Sequence, residues 1–232
     1  MLEIKDLTTY YYTDEKIVKA LDGADLSVAK GEFIGLAGGS GCGKSTLGLS
    51  IMRLIDPPGK IVKGSVKLEG RELLSLSKEE MRKIRGKSIS MVFQDPFTTL
   101  NPVLTVGDQL SECLKHHFDL GSKEAKERAI EALTKVKIKD PAQRFGSYPH
   151  ELSGGMRQRV MIAMAVSCGA EYLIADEITS ALDVVTQCHI MELLKELQAN
   201  EGLSILLISH NKPLLKKYCS RVCEMKDGKC LN

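Results

Sequence analysis

The 232 residues suffice for one large domain or two small ones, and 43% hydrophobic with 27% charged residues is the balance of an ordinary globular chain. A formal net charge of +2 makes no electrostatic case for a nucleic-acid partner, and no apolar stretch approaches the ~18 residues a membrane-spanning helix needs. The opening MLEIKDLTTYYY lacks the basic start and apolar core of a secretion signal, so the chain is expected in the cytosol, with any membrane role peripheral.

Read in order, strand-like runs fall at 2–7, 32–37, 61–68, 88–93, 171–175, 203–208 and 221–225. YLIA and SILLIS are apolar at nearly every position, as in strands covered on both faces. Helical patterns fall between them, at 44–54, 106–118, 123–136, 154–167, 183–200 and 211–217. The alternation predicts an α/β fold with a parallel sheet. Residues 96–152 break the rhythm with helix and loop alone, punctuated by Pro96, Pro102, Pro141 and Pro149. They read as a helical insertion into a core formed by 1–95 and 153–232. The last strand turns at Asp227-Gly228, a hairpin signal.

GGSGCGKST, residues 38–46, follows a buried strand and opens a helix. Gly38, four residues, then Gly43-Lys44-Ser45 match the P-loop pattern in its required context. Glycines at 38, 39, 41 and 43 let the N–H groups of this stretch, including those of Ser40 and Cys42, turn inward as a nest for phosphate oxygens. The helix start adds free N–H groups and a positive dipole end. Lys44 can reach the β- and γ-phosphates, Ser45 can ligate Mg²⁺, and Thr46 can donate toward the α-phosphate. The predicted ligand is a nucleoside triphosphate with Mg²⁺. Downstream, the strand YLIADE ends in two carboxylates at the edge where α/β sheets bind ligands. Asp176 would serve Mg²⁺ and Glu177 would polarise the attacking water. Without the P-loop, such a pair is as often a plain strand end.

HELSGGMRQRVMIAMA, 150–165, is a second glycine-rich helix start, with Ser153 as cap and Gly154-Gly155 allowing close approach. Leu152-Ser153-Gly154-Gly155 in this position resembles the signature motif of ATP-binding cassette (ABC) proteins, and the resemblance covers essentially the whole chain. It implies an ABC nucleotide-binding domain: a P-loop NTPase with a RecA-like core, an antiparallel β subdomain and an inserted helical subdomain. It also implies that Ser153, Gly154 and Gly155 serve the ATP of a second ATPase subunit, a non-identical paralogue, across a head-to-tail dimer. Gln94 in MVFQDP matches the Q-loop glutamine, which reaches Mg²⁺ and the attacking water. Ser180 to Asp183 match the D-loop, and His210 in LLISHN matches the switch histidine at the γ-phosphate. An aromatic usually stacks on adenine near the N-terminus. Tyr10, Tyr11 and Tyr12 compete, and spacing to Lys44 favours Tyr11, although all three also suit an ordinary strand. Cys42 for serine, Ile178 for proline and Met156 for glutamine depart from the usual motifs without removing a catalytic group.

SMVFQDPFTTLNPVLTVGDQL with YPHELSGGMRQRVMIAMA is similar to the peptide/nickel import subfamily. That resemblance implies two membrane permease subunits receiving the insertion from Asp95 to about Pro149, an extracytoplasmic solute-binding protein, and residence at the cytoplasmic face of the membrane. Peptide-transporting members often carry a C-terminal extension with cysteines. The end at Asn232 tilts the expectation toward a nickel or metal-chelate importer, with di- or oligopeptides as the alternative. The seven cysteines are expected as free structural thiols, because the tail CSRVCEMKDGKC completes no metal ligand set. Neither they nor His116-His117 are expected to hold nickel. A soluble cassette ATPase of DNA repair or translation control is disfavoured by the single cassette, the lack of heptads and the near-neutral charge.

Overall fold

The computed structural model describes residues 1–94 and 99–231. Two sheets carry the architecture. One is antiparallel, in the order β2 (Ile17–Val28), β1 (Leu2–Tyr12), β4 (Gly59–Leu68) and β5 (Arg71–Glu72). The other runs β10 (Lys229–Leu231), β9 (Arg221–Lys226), β3 (Phe33–Gly38), β8 (Ser204–Ile208), β7 (Tyr172–Asp176) and β6 (Ile89–Val92). Its β9-β3-β8-β7-β6 pairings are parallel, and only the β10 hairpin is antiparallel. β3, β7 and β8 are buried at every residue, as strands covered on both faces must be.

One face of the parallel sheet packs with α1 (Lys44–Ile51) and the antiparallel sheet, through Leu36, Leu47, Ile51, Leu21 and Ile208. The other face is covered by α6 (Gly154–Val166), α7 (Val184–Glu201) and α8 (Lys212–Tyr218), with Val160, Ile190, Leu194 and Leu215 in the core. Between β6 and β7 the chain forms α3 (Val106–His117), α4 (Ser122–Lys135), α5 (Pro141–Arg144) and a 3₁₀ turn, Pro149–Glu151. Leu110, Leu114, Ala129 and Leu133 join their core to that of α6. Asp95 and Pro96, where the insertion is expected to begin, lie outside the described residues.

Besides the short β5 and α5, two elements differ from the sequence reading. β2 is a twelve-residue strand where none is expected; two aspartates and Gly23, at φ +89°, interrupt its apolar alternation. α2 (Lys78–Ile84) is also unexpected, yet Ser77 and Glu80 form a full capping box. The Glu80 N–H donates to Ser77 Oγ at 3.2 Å and the Ser77 N–H to Glu80 Oε2 at 2.9 Å. The Asp227-Gly228 hairpin is present, with φ of +48° and +74° at the turn.

Candidate functional site

The parallel strands end at one edge, which collects β3 with the 38–46 loop, β7 with Asp176-Glu177, β8 with Ser209-His210, and β6 with Gln94. Gly41 (φ +76°) and Gly43 (φ +107°) take left-handed backbone that side chains resist. A Cβ at Gly43 would stand 2.3 Å from the Ala20 carbonyl oxygen. A Cβ at Gly39 or Gly41 would meet nothing within 4 Å, so the loop is tight below and open above. Lys44, buried at 7% exposure, reaches back so that Nζ donates to the carbonyls of Gly38 at 2.9 Å and Gly39 at 2.8 Å. Its ammonium is thus held at the loop by weak acceptors that phosphate oxygens can replace. Ser45 is exposed, Ser40 likewise, and Thr46 is half-buried. Cys42 is half-buried, and its thiol packs on Gly38, where a Cβ would meet Sγ at 2.5 Å.

Asp176 closes β7 at 6% exposure, and its Oδ1 is buried with no hydrogen-bond partner among the described residues. Burial pushes its carboxyl above the ordinary value; the Ser45 hydroxyl pulls it back, the Glu177 charge adds to the rise, and the Lys44 ammonium opposes it. A buried carboxylate with an uncommitted oxygen, beside a serine hydroxyl at a phosphate nest, fits a hard cation that takes oxygen ligands, and Mg²⁺ suits it. The next residue, Glu177, is held at φ +50°, a strained conformation for a side-chain residue. Its N–H donates to the Ile208 carbonyl at 3.0 Å, and its carbonyl accepts from the Ser180 N–H at 3.1 Å and Oγ at 2.9 Å. The carboxylate is mostly covered, and Oε2 lies 2.9 Å from Nδ1 of the exposed His210. Two neighbouring strand ends thereby bring a candidate base and the histidine into contact.

Gln94 stands exposed just past β6, on the strand beside β7. Ser153 caps α6, its Oγ accepting from the Met156 N–H at 3.3 Å. The neighbours of this second glycine pair belong to the 180–186 segment: a Cβ at Gly155 would meet Thr186 Cγ2 at 2.6 Å, and one at Gly154 would meet Leu182 at 3.6 Å. Asp183 caps α7 by accepting from the Thr186 N–H at 3.0 Å. Ile178, in place of the usual proline, is buried in the core at 2% exposure.

The tyrosines separate. Tyr11 pairs with Val18 and Gly59, and its ring lies so close over Gly59 that a Cβ there would meet Cε1 at 2.7 Å. Tyr10 donates its hydroxyl to Asp22 at 2.8 Å, and Tyr12 is 44% exposed. Sequence reasoning missed the brace behind the P-loop. The Asp22 N–H donates to the Gly228 carbonyl at 3.0 Å, and the Gly228 N–H donates to the Cys42 carbonyl at 3.1 Å. The hairpin glycine is thus the link between β2 and the loop, and the Asp227-Gly228 turn was the only sequence signal for it. Gln187 was missed as well. Its Nε2 donates to the carbonyls of Thr179 and Leu182, both at 2.9 Å, and so shapes the segment after Glu177.

Residues 21–180 match a family model described as ABC transporter. The oligopeptide transport ATP-binding protein AppD of Bacillus subtilis is 47% identical over 229 residues, 98% of this chain and 70% of that protein. The dipeptide transport ATP-binding protein DppD of Haemophilus influenzae is 46% identical over 228 residues, 98% of this chain and 69% of its own length. Among solved structures, the dimeric bacterial ABC transporter cassette MJ0796 superposes with a TM-score of 0.88 at 31% identity, over 100% of this chain and 97% of that one. The same cassette is also known as a dimer after hydrolysis, bound to ADP and Pi. The peptide names favour the alternative cargo over nickel, and relatives named for peptides match this chain from end to end.

Proposed function

We propose that this chain, which belongs to the ABC transporter family of ATPases, drives the import of di- or oligopeptides across a membrane. The chain is an ATP-hydrolysing importer subunit by that membership. The peptide cargo is supported by relatives 46–47% identical that are named for dipeptide and oligopeptide transport. Among the described residues no helix is long and apolar enough to cross a membrane. The reading therefore needs membrane permease subunits, with this chain at their cytoplasmic face and an extracytoplasmic solute-binding protein delivering cargo.

One observation carries the chemistry: Lys44, Ser45, Asp176, Glu177 and His210 converge on a single sheet edge. The backbone N–H groups of 39–46 receive the phosphate oxygens of ATP, and Lys44 moves from the Gly38 and Gly39 carbonyls onto them. Ser45 and Asp176, with Gln94, would hold Mg²⁺, which when bound supplies neutralisation of phosphate charge. Glu177 Oε2 accepts the proton of the attacking water, and His210, 2.9 Å from it, holds that carboxylate and faces the terminal phosphate. Tyr11 offers its ring to the base. Ser153, Gly154 and Gly155 present a capped helix start to the ATP of a second, paralogous subunit. This is consistent with their contacts to 182–186 and with the dimeric state of the related cassette.

Uptake of labelled di- and oligopeptides by cells whose only copy carries Glu177→Gln tests the assignment, with labelled nickel measured in parallel. Peptide uptake is expected to fall to background while nickel uptake is unchanged. Loss of nickel uptake with peptide uptake intact would reverse the cargo assignment and leave the ATPase standing.

A further inference from the structure

Away from the nucleotide edge, three soft or borderline ligands meet where α3 crosses the end of α6. We propose that Cys113, His117 and Cys168 form a site for a thiophilic divalent cation, Zn²⁺ by its chemistry. Cys113 and His117 are four residues apart on α3 and so share a face. Cys168 follows α6. One ligand atom from each of the three lies within 4.8 Å of the others.

The separation of the sulphurs is the discriminating number. Cys113 Sγ and Cys168 Sγ stand 3.7 Å apart. Two thiolates at about 2.3 Å from a tetrahedral zinc are about 3.8 Å apart, whereas a disulfide requires about 2.05 Å. The two thiols, in S–H···S contact with each other, thus stand at a spacing that fits two ligands on one ion and not a disulfide. The thiols have only weak partners otherwise: Cys113 Sγ with the Met164 carbonyl at 3.9 Å, and Cys168 Sγ with Ser167 Oγ and the Cys113 carbonyl, both at 3.8 Å. Neither ring nitrogen of His117 hydrogen-bonds to another described residue, and the ring seats where Gly86 gives it room: a Cβ there would meet Nε2 at 2.6 Å. Cys168 is 2% exposed while Cys113 and His117 are half-buried, so the group has a dry floor and a way in. Sulphur and imidazole exclude Mg²⁺ and Ca²⁺, which take oxygen. Three protein ligands leave a fourth position on the ion for water.

An ion here fastens α3 to the far end of the helix that Ser153 begins. The site shares no residue with the ATP site and is independent of the cargo. The test uses the full chain, kept reduced with a phosphine and free of nucleotide and magnesium. Co²⁺ serves as the optical probe, and Zn²⁺ is titrated against a chromophoric chelator. One ion per chain is expected, with a thiolate-to-cobalt charge-transfer band that Zn²⁺ abolishes and a rise in melting temperature with Zn²⁺. Cys113→Ala and His117→Gln, both at half-buried positions, are each expected to weaken Zn²⁺ binding at least about tenfold with an unchanged circular dichroism spectrum. Cys188→Ser, at a free cysteine outside both sites, is expected to bind Zn²⁺ as the parent does. The proposal fails if the reduced parent shows no charge-transfer band, or if both variants bind Zn²⁺ undiminished. It fails also if Cys113 and Cys168 oxidise to a disulfide in air while the reduced protein takes up no metal.

Discussion

Replacing Asp176 by asparagine separates what this residue does for ATP hydrolysis from what it costs the empty protein. The carboxylate is 6% exposed, one oxygen has no partner among the described residues, and Glu177 adds a like charge beside it. A buried polar group left unpaired costs about 1–3 kcal/mol, and a charged one more; the Ser45 hydroxyl and Lys44 ammonium offset part of this. Asparagine keeps the shape and removes the charge, at the risk of an unpaired amide. The expected net gain is about 1 kcal/mol, or about 2–4 °C in melting temperature for a chain of this size. The pH dependence has a definite sign. Because the folded carboxyl titrates above its ordinary value, its penalty is absent below the unfolded value and develops as pH rises through the folded one. Melting curves in EDTA without nucleotide should show the variant ahead at pH 8 and level with the parent near pH 4, around the ordinary carboxylate range. Adding Mg²⁺ and ATP should reverse the order: at a hundredfold excess over the dissociation constant the parent gains about 2.7 kcal/mol, and the variant much less. A variant less stable than the parent in EDTA at pH 8, or one stabilised equally by Mg²⁺ and ATP, would refute the reasoning.

Glu177→Gln is expected to retain ATP binding and lose at least about 100-fold in turnover, the scale of a lost general base; normal phosphate release from the assembled complex would remove Glu177 from that role. Ser153→Arg should abolish hydrolysis at the partner's site and leave this chain's own ATP affinity within about twofold, since Gly154 and Gly155 touch Leu182 and Thr186, away from the P-loop. A tenfold loss of nucleotide affinity in the isolated variant would contradict the shared site. Gly43→Ala sets a Cβ 2.3 Å from a backbone oxygen at φ +107°, and should cost about 3 kcal/mol or more in denaturant unfolding. Parent-like stability would mean that β2 can retreat from the loop.

The parts of the site that the sequence made legible are those in which chemistry and chain proximity coincide. The phosphate nest, its lysine and the capped start of α6 are local, and each is spelled by consecutive residues. The fully buried strands β3, β7 and β8 announce themselves by unbroken apolar runs. α2 was legible and overlooked, because its capping box stands in plain view at Ser77 and Glu80. β2 was not legible, since a strand carrying Asp22, Gly23 and Asp25 owes its place to pairing with β1 rather than to its own pattern. The same holds for the brace that runs from Asp22 through Gly228 to the Cys42 carbonyl, which spans most of the chain and uses backbone groups that every residue has. Backbone groups bear no signature, so a sequence shows that a glycine must turn but not what holds the turn in place. The contact of Glu177 with His210 is intermediate. Each residue is visible at a strand end, but only the β7–β8 register, Asp176 opposite Ile208, brings Glu177, one residue on, within 2.9 Å of His210, two residues on. Changes in β2 or the final hairpin, remote in sequence from every motif, are therefore expected to act on ATP binding through the backbone of Cys42 and Gly43, which these two elements contact.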